Sequence, residues 1–298
     1  MGSQRMPAAE VEVSADLVRR LVAAQHPDLA HLPVEMMANG WDNVMFRVGD
    51  ALVARLPRRE VGARSLVHEQ RWLPVLGPRL PLPVPAPVRV GRPQFGYPWP
   101  WSVVRFLPGG VASRNPPADP RAAAAGLGAF LGALHTPASP EAPANPYRGV
   151  PLAGRAPALA RCLSIVGDLV DHGAVMRVWE GAVAAPQWDG PPAWLHGDLH
   201  PANILVHDGR VSGVIDFGDV TAGDPATDLS VVWMLLPAEC HDAFRDAYHA
   251  AAGRAGGDDL WLRARGWALA LSLAFLAQSA DDPVIAEIGR HTITAVLA

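Results

Sequence analysis

The chain has 298 residues, half of them hydrophobic, and a net charge of −4, enough material for one large domain or two lobes with sizeable cores. With this mild acidity nothing points to a nucleic-acid phosphate backbone as partner. The two cysteines, Cys162 and Cys240, lie far apart and outside metal-type spacing, the usage of a reduced cytoplasmic protein. All 25 basic residues are arginine, which excludes a Walker A phosphate loop and a lysine Schiff base.

In chain order, the first residues lack the apolar run of a secretory leader. Ser14 is placed to cap a helix reaching Ala24, with Leu17, Val18 and Leu21 on one face. After Pro33, short strands are expected at 34–37, 44–48 and 52–56. Ala38-Asn39-Gly40-Trp41-Asp42-Asn43 joins the first two, and Gly49-Asp50 turns between the second and third. A helix follows at 63–73. The proline-rich run at 78–87 is extended and cannot join a central strand, so it reads as a rigid connector. Strands at 88–90 and 102–106 complete this part. Beyond Gly110 the pattern turns helical, at 121–134, 159–169, 175–184, 225–235, 238–252, 259–277 and 283–297. The longest apolar stretch, 267–277, is too short to span a bilayer and reads as a buried helix. The chain is therefore α+β, with a small sheet-bearing amino lobe over 1–107 and a larger helical carboxyl lobe over 108–298.

One segment interrupts the helices. Residues 194–219 read WLHGDLHPANILVHDGRVSGVIDFGD. Asp208-Gly209 is a turn signal, because both residues tolerate positive φ. The β-branched residues of 211–215 run back antiparallel to Ile204 and Leu205. A hairpin folded there closes its open end, so Asn203 and Asp216 become neighbours, with Asp198 on the loop just before them. An amide oxygen beside a carboxylate suits Mg²⁺, which takes few protein ligands plus substrate phosphates. A second carboxylate nearby can accept a proton from a substrate hydroxyl. This is the layout of a phosphoryl-transfer site. His196 reads as a core histidine that orients the loop. A zinc site on His196, Asp198 and His200 is the rival, but it leaves Asn203 and IDFGD unexplained.

HGDLHPANIL and IDFGD, in this order and 13 residues apart from Asn203 to Asp216, resemble the catalytic loop and metal motif of the aminoglycoside phosphotransferase family. That family includes macrolide kinases and choline-kinase-like enzymes and has the bilobal protein-kinase-like fold. The resemblance implies Asp198 as catalytic base and Asn203 and Asp216 as Mg²⁺ ligands, with ATP or GTP as phosphate donor. It also places Gly40 and Asn43 in a nucleotide-covering loop, offering backbone N–H groups to phosphate. Arg55 stands where the family has a phosphate-binding lysine, and Glu69 stands where it has the partner acid. An arginine is longer, planar and bidentate, so the exchange is not conservative. Phe106 and Leu107 fall in the hinge that pairs with adenine. Asp224 and Asp228, in GDPATDLS, cap helices and hold the catalytic loop, and Asp219 ranks below Asp216 as a metal ligand. The implied acceptor is an aminoglycoside or macrolide-type antibiotic. Asp242, Asp246, Asp258, Asp259, Asp281 and Asp282 are available for ammonium groups, and Trp261 and Trp267 for an apolar pocket. The alternatives are a kinase of a small metabolite and an inactive nucleotide-binding module. Neither a nucleic acid nor a membrane is an expected partner.

Overall fold

The computed structural model describes residues 7–253, 257–279 and 282–298. The Ser14 hydroxyl accepts the Leu17 N–H at 3.2 Å and starts α1 (Ala15–Gln25), which buries Val18, Leu21 and Val22. A meander follows, with β1 (Val34–Asn39), β2 (Asn43–Val48) and β3 (Leu52–Pro57). After α2 (Glu60–Leu76) come β4 (Pro87–Gly91) and β5 (Trp101–Arg105). The five strands form one antiparallel sheet in the order β1-β2-β3-β5-β4. The apolar stripe of α1 packs with Phe46, Val48, Ala54, Trp101 and Val103 in a cluster of its own. Removing such stripes from water is what holds a helix to a sheet face. α2 runs past the expected 63–73, through Pro74, because Trp72, Leu73 and Leu76 are buried in the larger cluster of the helical part.

That part comprises β6 (Gly110–Val111), α3 (Pro120–Leu134), α4 (Ala156–Val166) and α5 (His172–Ala184). It continues through β7 (Ala193–Leu195), β8 (Ile204–His207), β9 (Arg210–Val214) and β10 (Thr221–Gly223). Five helices close it: α6 (Ala226–Leu229), α7 (Val231–Leu235), α8 (His241–Ala252), α9 (Asp258–Gln278) and α10 (Pro283–Leu297). One expected helix is shifted three residues toward the amino end, and another is broken. α4 stops at Val166 because Gly167 turns to φ 58°. The helix expected at 225–235 breaks at Ser230, whose hydroxyl donates to the Thr227 carbonyl at 2.6 Å.

α9 is the central post. By length and composition alone it would cross a membrane, yet Leu260, Trp267, Leu269 and Leu273 are buried in the helical core. It also carries a buried arginine, Arg263, whose Nε donates to Asp224 at 2.7 Å. Beside it α3 and α8 approach closely along Gly128 and Gly132. A Cβ built on Gly132 would lie 2.6 Å from the Tyr248 carbonyl oxygen and 2.7 Å from the Ala251 Cβ. On the same helix a Cβ at Gly126 would meet nothing within 4 Å.

Helix propensity alone favours alanine over glycine by about 1 kcal/mol, whereas overpacking a tight contact costs about 1–3 kcal/mol. Gly126→Ala is therefore expected to raise, and Gly132→Ala to lower, the urea midpoint of the full chain. Equal shifts of the same sign would contradict this packing of α3 on α8.

Candidate active site

The β8–β9 hairpin turns at Asp208 and Gly209, at φ 48° and 73°, the twist-compatible turn that this pair favours. Ile204 stands opposite Val214, and the Ile215 N–H donates to the Asn203 carbonyl at 2.9 Å. Asn203 and Asp216 are thus brought to adjoining ends of one hairpin. Asp216 sits at φ 64°, a conformation that costs a non-glycine residue about 1–3 kcal/mol and is found where surrounding structure enforces it.

Two short strands missed in the sequence complete the frame. β7 leads into the loop that carries Asp198 and β10 leaves the loop that carries Asp216, and they pair with Leu195 opposite Thr221. At three residues each they are too short to show periodicity. They press the two loops together so closely that a Cβ on Gly197, which sits at φ 87°, would lie 2.2 Å from the Asp219 carbonyl oxygen.

The loop itself hangs from Asp228. This carboxylate accepts the N–H groups of His196 at 2.7 Å and Gly197 at 2.9 Å, and it contacts His135 Nε2 at 3.2 Å. His196 is fully buried. Its Nδ1 accepts the Asp198 N–H at 3.2 Å, which leaves the proton on Nε2 to be donated to the Ile215 carbonyl at 2.9 Å. Both ring nitrogens are therefore spent on the backbones of the two loops, and a zinc ligand is not available there. Asp224 accepts the Ala226 N–H and pairs with Arg263.

Asp198 keeps 29% of its side-chain exposure, enough to meet a ligand. Its Oδ1 accepts from Arg148 at 2.9 Å, and its Oδ2 lies 3.5 Å from His200 Nε2. Burial opposes its charge, but His200 and Arg148 outweigh burial and hold the carboxyl well below the usual range. Asn203 Nδ2 donates to the Asp198 carbonyl at 2.9 Å, and among the described residues no side chain or backbone group donates to Asn203 Oδ1 or to the Asp216 carboxylate. Burial and the Asp198 charge push Asp219 up, and Asn145 donates to it at 2.7 Å. Asp42 descends from the β1–β2 loop, where burial and the charges of Asp216 and Asp219 push it up against the pull of Arg59. A free amide oxygen and a free carboxylate, in a group of mutually repelling acids, are a donor set that fits a hard divalent cation.

Arg55 of β3 and Glu69 of α2 form a buried bidentate pair, with the second bond at 3.1 Å. Burial penalises the guanidinium, but Glu69 and then Asp216 outweigh it and hold its pKa above the ordinary value. Glu69 takes two of its five N–H donors. The Gly40 N–H is closed onto the Asn43 carbonyl at 2.9 Å, so that amide does not face a ligand, and Asn43 Oδ1 is buried without a partner. The Phe106 N–H is likewise spent, on the Ala51 carbonyl at 2.8 Å, and its ring lies under the Arg47 guanidinium. Leu107 follows as the next residue, beside Gly213.

Next to Asp198 opens a cavity of about 570 Å³, lined by Trp41, Tyr147, three arginines and the apolar faces of α4, α9 and α10. Of the acids expected to bind ammonium groups only Asp282 lines it, and Asp282 caps α10 by accepting from Val284 and Ile285. Asp242, Asp246, Asp258 and Asp259 lie away from it, and Asp281 falls outside the described residues. Trp261 and Trp267 are buried core rings. The side chain that sequence reasoning missed is Arg148, which reaches Asp198 from an irregular loop fifty residues upstream.

Residues 34–267 match the phosphotransferase enzyme family, and the chain belongs to it. Solved structures share the fold. The GDP and kanamycin complex of APH(2")-IIia superposes with a TM-score of 0.66 at 22% identity, over 94% of this chain and 97% of that one. The macrolide 2'-phosphotransferase MphH from Brachybacterium faecium gives 0.62 at 23% identity, over 95% and 97%. A homoserine kinase of Gluconacetobacter diazotrophicus is 36% identical over 105 residues, 33% of this chain. The chain matches 22% and 31% of the lengths of the first two curated relatives.

Burial opposes the Asp228 charge, but the His135 hydrogen bond and charge, with His196 and Gly197, hold its carboxyl below the ordinary 3.8. A depressed folded value contributes stability that is fully present above the unfolded-chain value and is lost as pH falls through the folded one. Asp228→Asn is expected to cost about 3–5 kcal/mol at neutral pH, as for one partner removed from a buried charged network. The gap to the unsubstituted chain should narrow below the ordinary carboxylate value. Denaturation at a series of pH values measures it; a gap that stays constant down to the most acid sample would refute the role of the charge.

Proposed function

We propose that the protein transfers the γ-phosphoryl group of ATP or GTP to a hydroxyl of a small molecule. The observation that carries this reading is the juxtaposition of Asp198, Asn203 and Asp216 on one hairpin and its preceding loop, with the last two presenting unclaimed oxygen ligands. Family membership supports it, as do structural neighbours solved with GDP and kanamycin and with ATP and streptomycin.

In this reading Asp198 receives the hydrogen bond of the acceptor hydroxyl and aims its oxygen at the γ-phosphorus. A carboxylate held well below the usual range stays ionised but is a weak base. Its work is therefore orientation, and it takes the proton late, as the new P–O bond forms and the bond to the β-phosphate oxygen breaks. Positioning of this kind supplies most of the catalysis in phosphoryl transfer. Asn203 and Asp216 would hold Mg²⁺, which when bound neutralises charge on the phosphates. Arg55, kept in place by Glu69, turns its remaining N–H groups and its charge toward the nucleotide phosphates. The β1–β2 loop with Gly40 and Asn43 covers them, and Phe106 and Leu107 border the base. A cytoplasmic location goes with this substrate pair.

For the acceptor, the family resemblance offers an aminoglycoside or macrolide-type antibiotic. A second reading, a hydroxyl-bearing metabolite, is favoured by the cavity beside Asp198, where three arginines line the wall and only Asp282 of the expected acids does.

Asp198→Ala is expected to lower turnover by about a hundredfold or more, the scale of a lost positioned acid–base group, while nucleotide affinity changes little. Coupled nucleoside diphosphate release and calorimetry measure the two. Near-normal turnover in this variant would sink the assignment.

A further inference from the structure

The cavity beside Asp198 holds three arginines and three aspartates, and the two sets are not equally occupied. Asp198 is taken by Arg148 and His200, Asp219 by Asn145, and Asp282 by the first turn of α10. Arg155 and Arg161, by contrast, form no ion pair with any described residue. The Arg155 guanidinium lies over the Tyr147 ring, 5.7 Å from its centroid, a contact that leaves its N–H donors unpaired. The Nε atoms of Arg148 and Arg155 are buried with no hydrogen-bond partner. A buried guanidinium donor without an acceptor is unfavourable unless a ligand supplies one. Burial, and then the Arg148 charge, push Arg155 below its ordinary value, with Arg161 adding to the repulsion. Leu159, Ala274, Phe275 and Ile285 add apolar wall, Trp41 and Tyr147 add aromatic rings, and Gln278 and Ser279 add polar groups.

Resting on the phosphotransferase reading above, we propose that this cavity is the acceptor site and that its arginines, Arg155 and Arg161 foremost, bind an anionic group of the acceptor, a carboxylate or a phosphate. Guanidinium forks match both groups by paired N–H bonds. The acceptor's apolar body lies against α9 and α10. Arg148 pairs with Asp198 and its charge is felt at Arg155, and all of them line one cavity, so an acceptor held there by its anion has the Asp198 carboxylate within the same site for its hydroxyl. A polycationic acceptor would meet the same arginines as repulsion, since like charges in a partly buried cleft discriminate against the wrong ligand.

The test uses the full chain with ADP and Mg²⁺ and two matched probe pairs, 3-hydroxyoctanoate with its methyl ester and glycerol 3-phosphate with glycerol, plus kanamycin. Calorimetry is expected to show at least one anion binding about tenfold or more tighter than its neutral partner, the scale of one charge-assisted contact. Preference in the first pair identifies a carboxylate, and preference in the second a phosphate. Arg155→Ala/Arg161→Ala should bring the pair to equal affinity, while Arg155→Lys/Arg161→Lys keeps part of the preference. Both substitutions fall at exposed or half-buried positions of α4 and its N-cap, and the thermal midpoint checks folding. No preference in either pair, or kanamycin binding tighter than both anions, overturns the proposal. Asp198-dependent turnover of kanamycin would then leave the phosphotransferase reading standing. Failure of ADP to bind at all would overturn that reading itself.

Discussion

The Asp228 carboxylate is the fixed point of this molecule. It is buried at 1% exposure and receives two backbone N–H groups of the loop that carries Asp198, while His135 of the segment after α3 braces it from behind. Charge-assisted bonds of this kind are about twice as strong as neutral ones. The start of the Asp198 loop inherits its position from this one group. His196, placed by Asp228, spends one ring nitrogen on Asp198 and the other on Ile215. The Asp198 loop and the entry to Asp216 therefore cannot move independently. The β7–β10 pair and the close approach at Gly197 reinforce the same coupling.

The second constraint is the Arg55–Glu69 pair. Burying two ions costs several kcal/mol apiece, and a bidentate geometry only about offsets that cost, so the pair is poorly explained as a device for stability. Its placement explains it better. It joins β3 to α2, and α2 is the helix that also reaches into the helical core through Trp72, Leu73 and Leu76. Trp72 lies 4.6 Å from Trp194, the residue that begins the WLHGD run. The sheet is thus mechanically linked to the loop that carries Asp198. The absence of lysine from the chain makes Arg55 the sole basic side chain in this pair, and an arginine that never deprotonates keeps its charge in a site that burial would otherwise neutralise.

Much of this was legible from sequence because it is local. Ser14, the Asp208-Gly209 turn and Pro283 mark their elements through nearest neighbours, and the hairpin arithmetic brings Asn203 to Asp216 without any long-range knowledge. The sheet order, with β5 and not β4 beside β3, depends on pairing across fifty residues and has no local signature. Neither do β6, β7 and β10, which are too short for alternation to be seen. At the site, the expected acids of the late helices failed for a related reason. Charge and exposure place Asp242, Asp246 and Asp259 on helix surfaces, but which surface faces the cleft depends on how α8, α9 and α10 pack. Arg148, Arg155 and Arg161 were invisible as a group because they come from an irregular loop, the end of a 3₁₀ turn and a helix, and share no periodicity.

The proposed phosphoryl transfer depends most on Asn203 and Asp216 jointly holding a metal against nucleotide phosphates. Calorimetric titration of the full chain with ATP and GTP, with and without Mg²⁺, tests this directly when repeated on Asp216→Ala. The expected result is that Mg²⁺ tightens binding of at least one nucleotide in the unsubstituted chain and has little effect in the variant. Nucleotide binding that ignores Mg²⁺ in the unsubstituted chain, or an equal Mg²⁺ effect in both proteins, would contradict the assignment of these two residues.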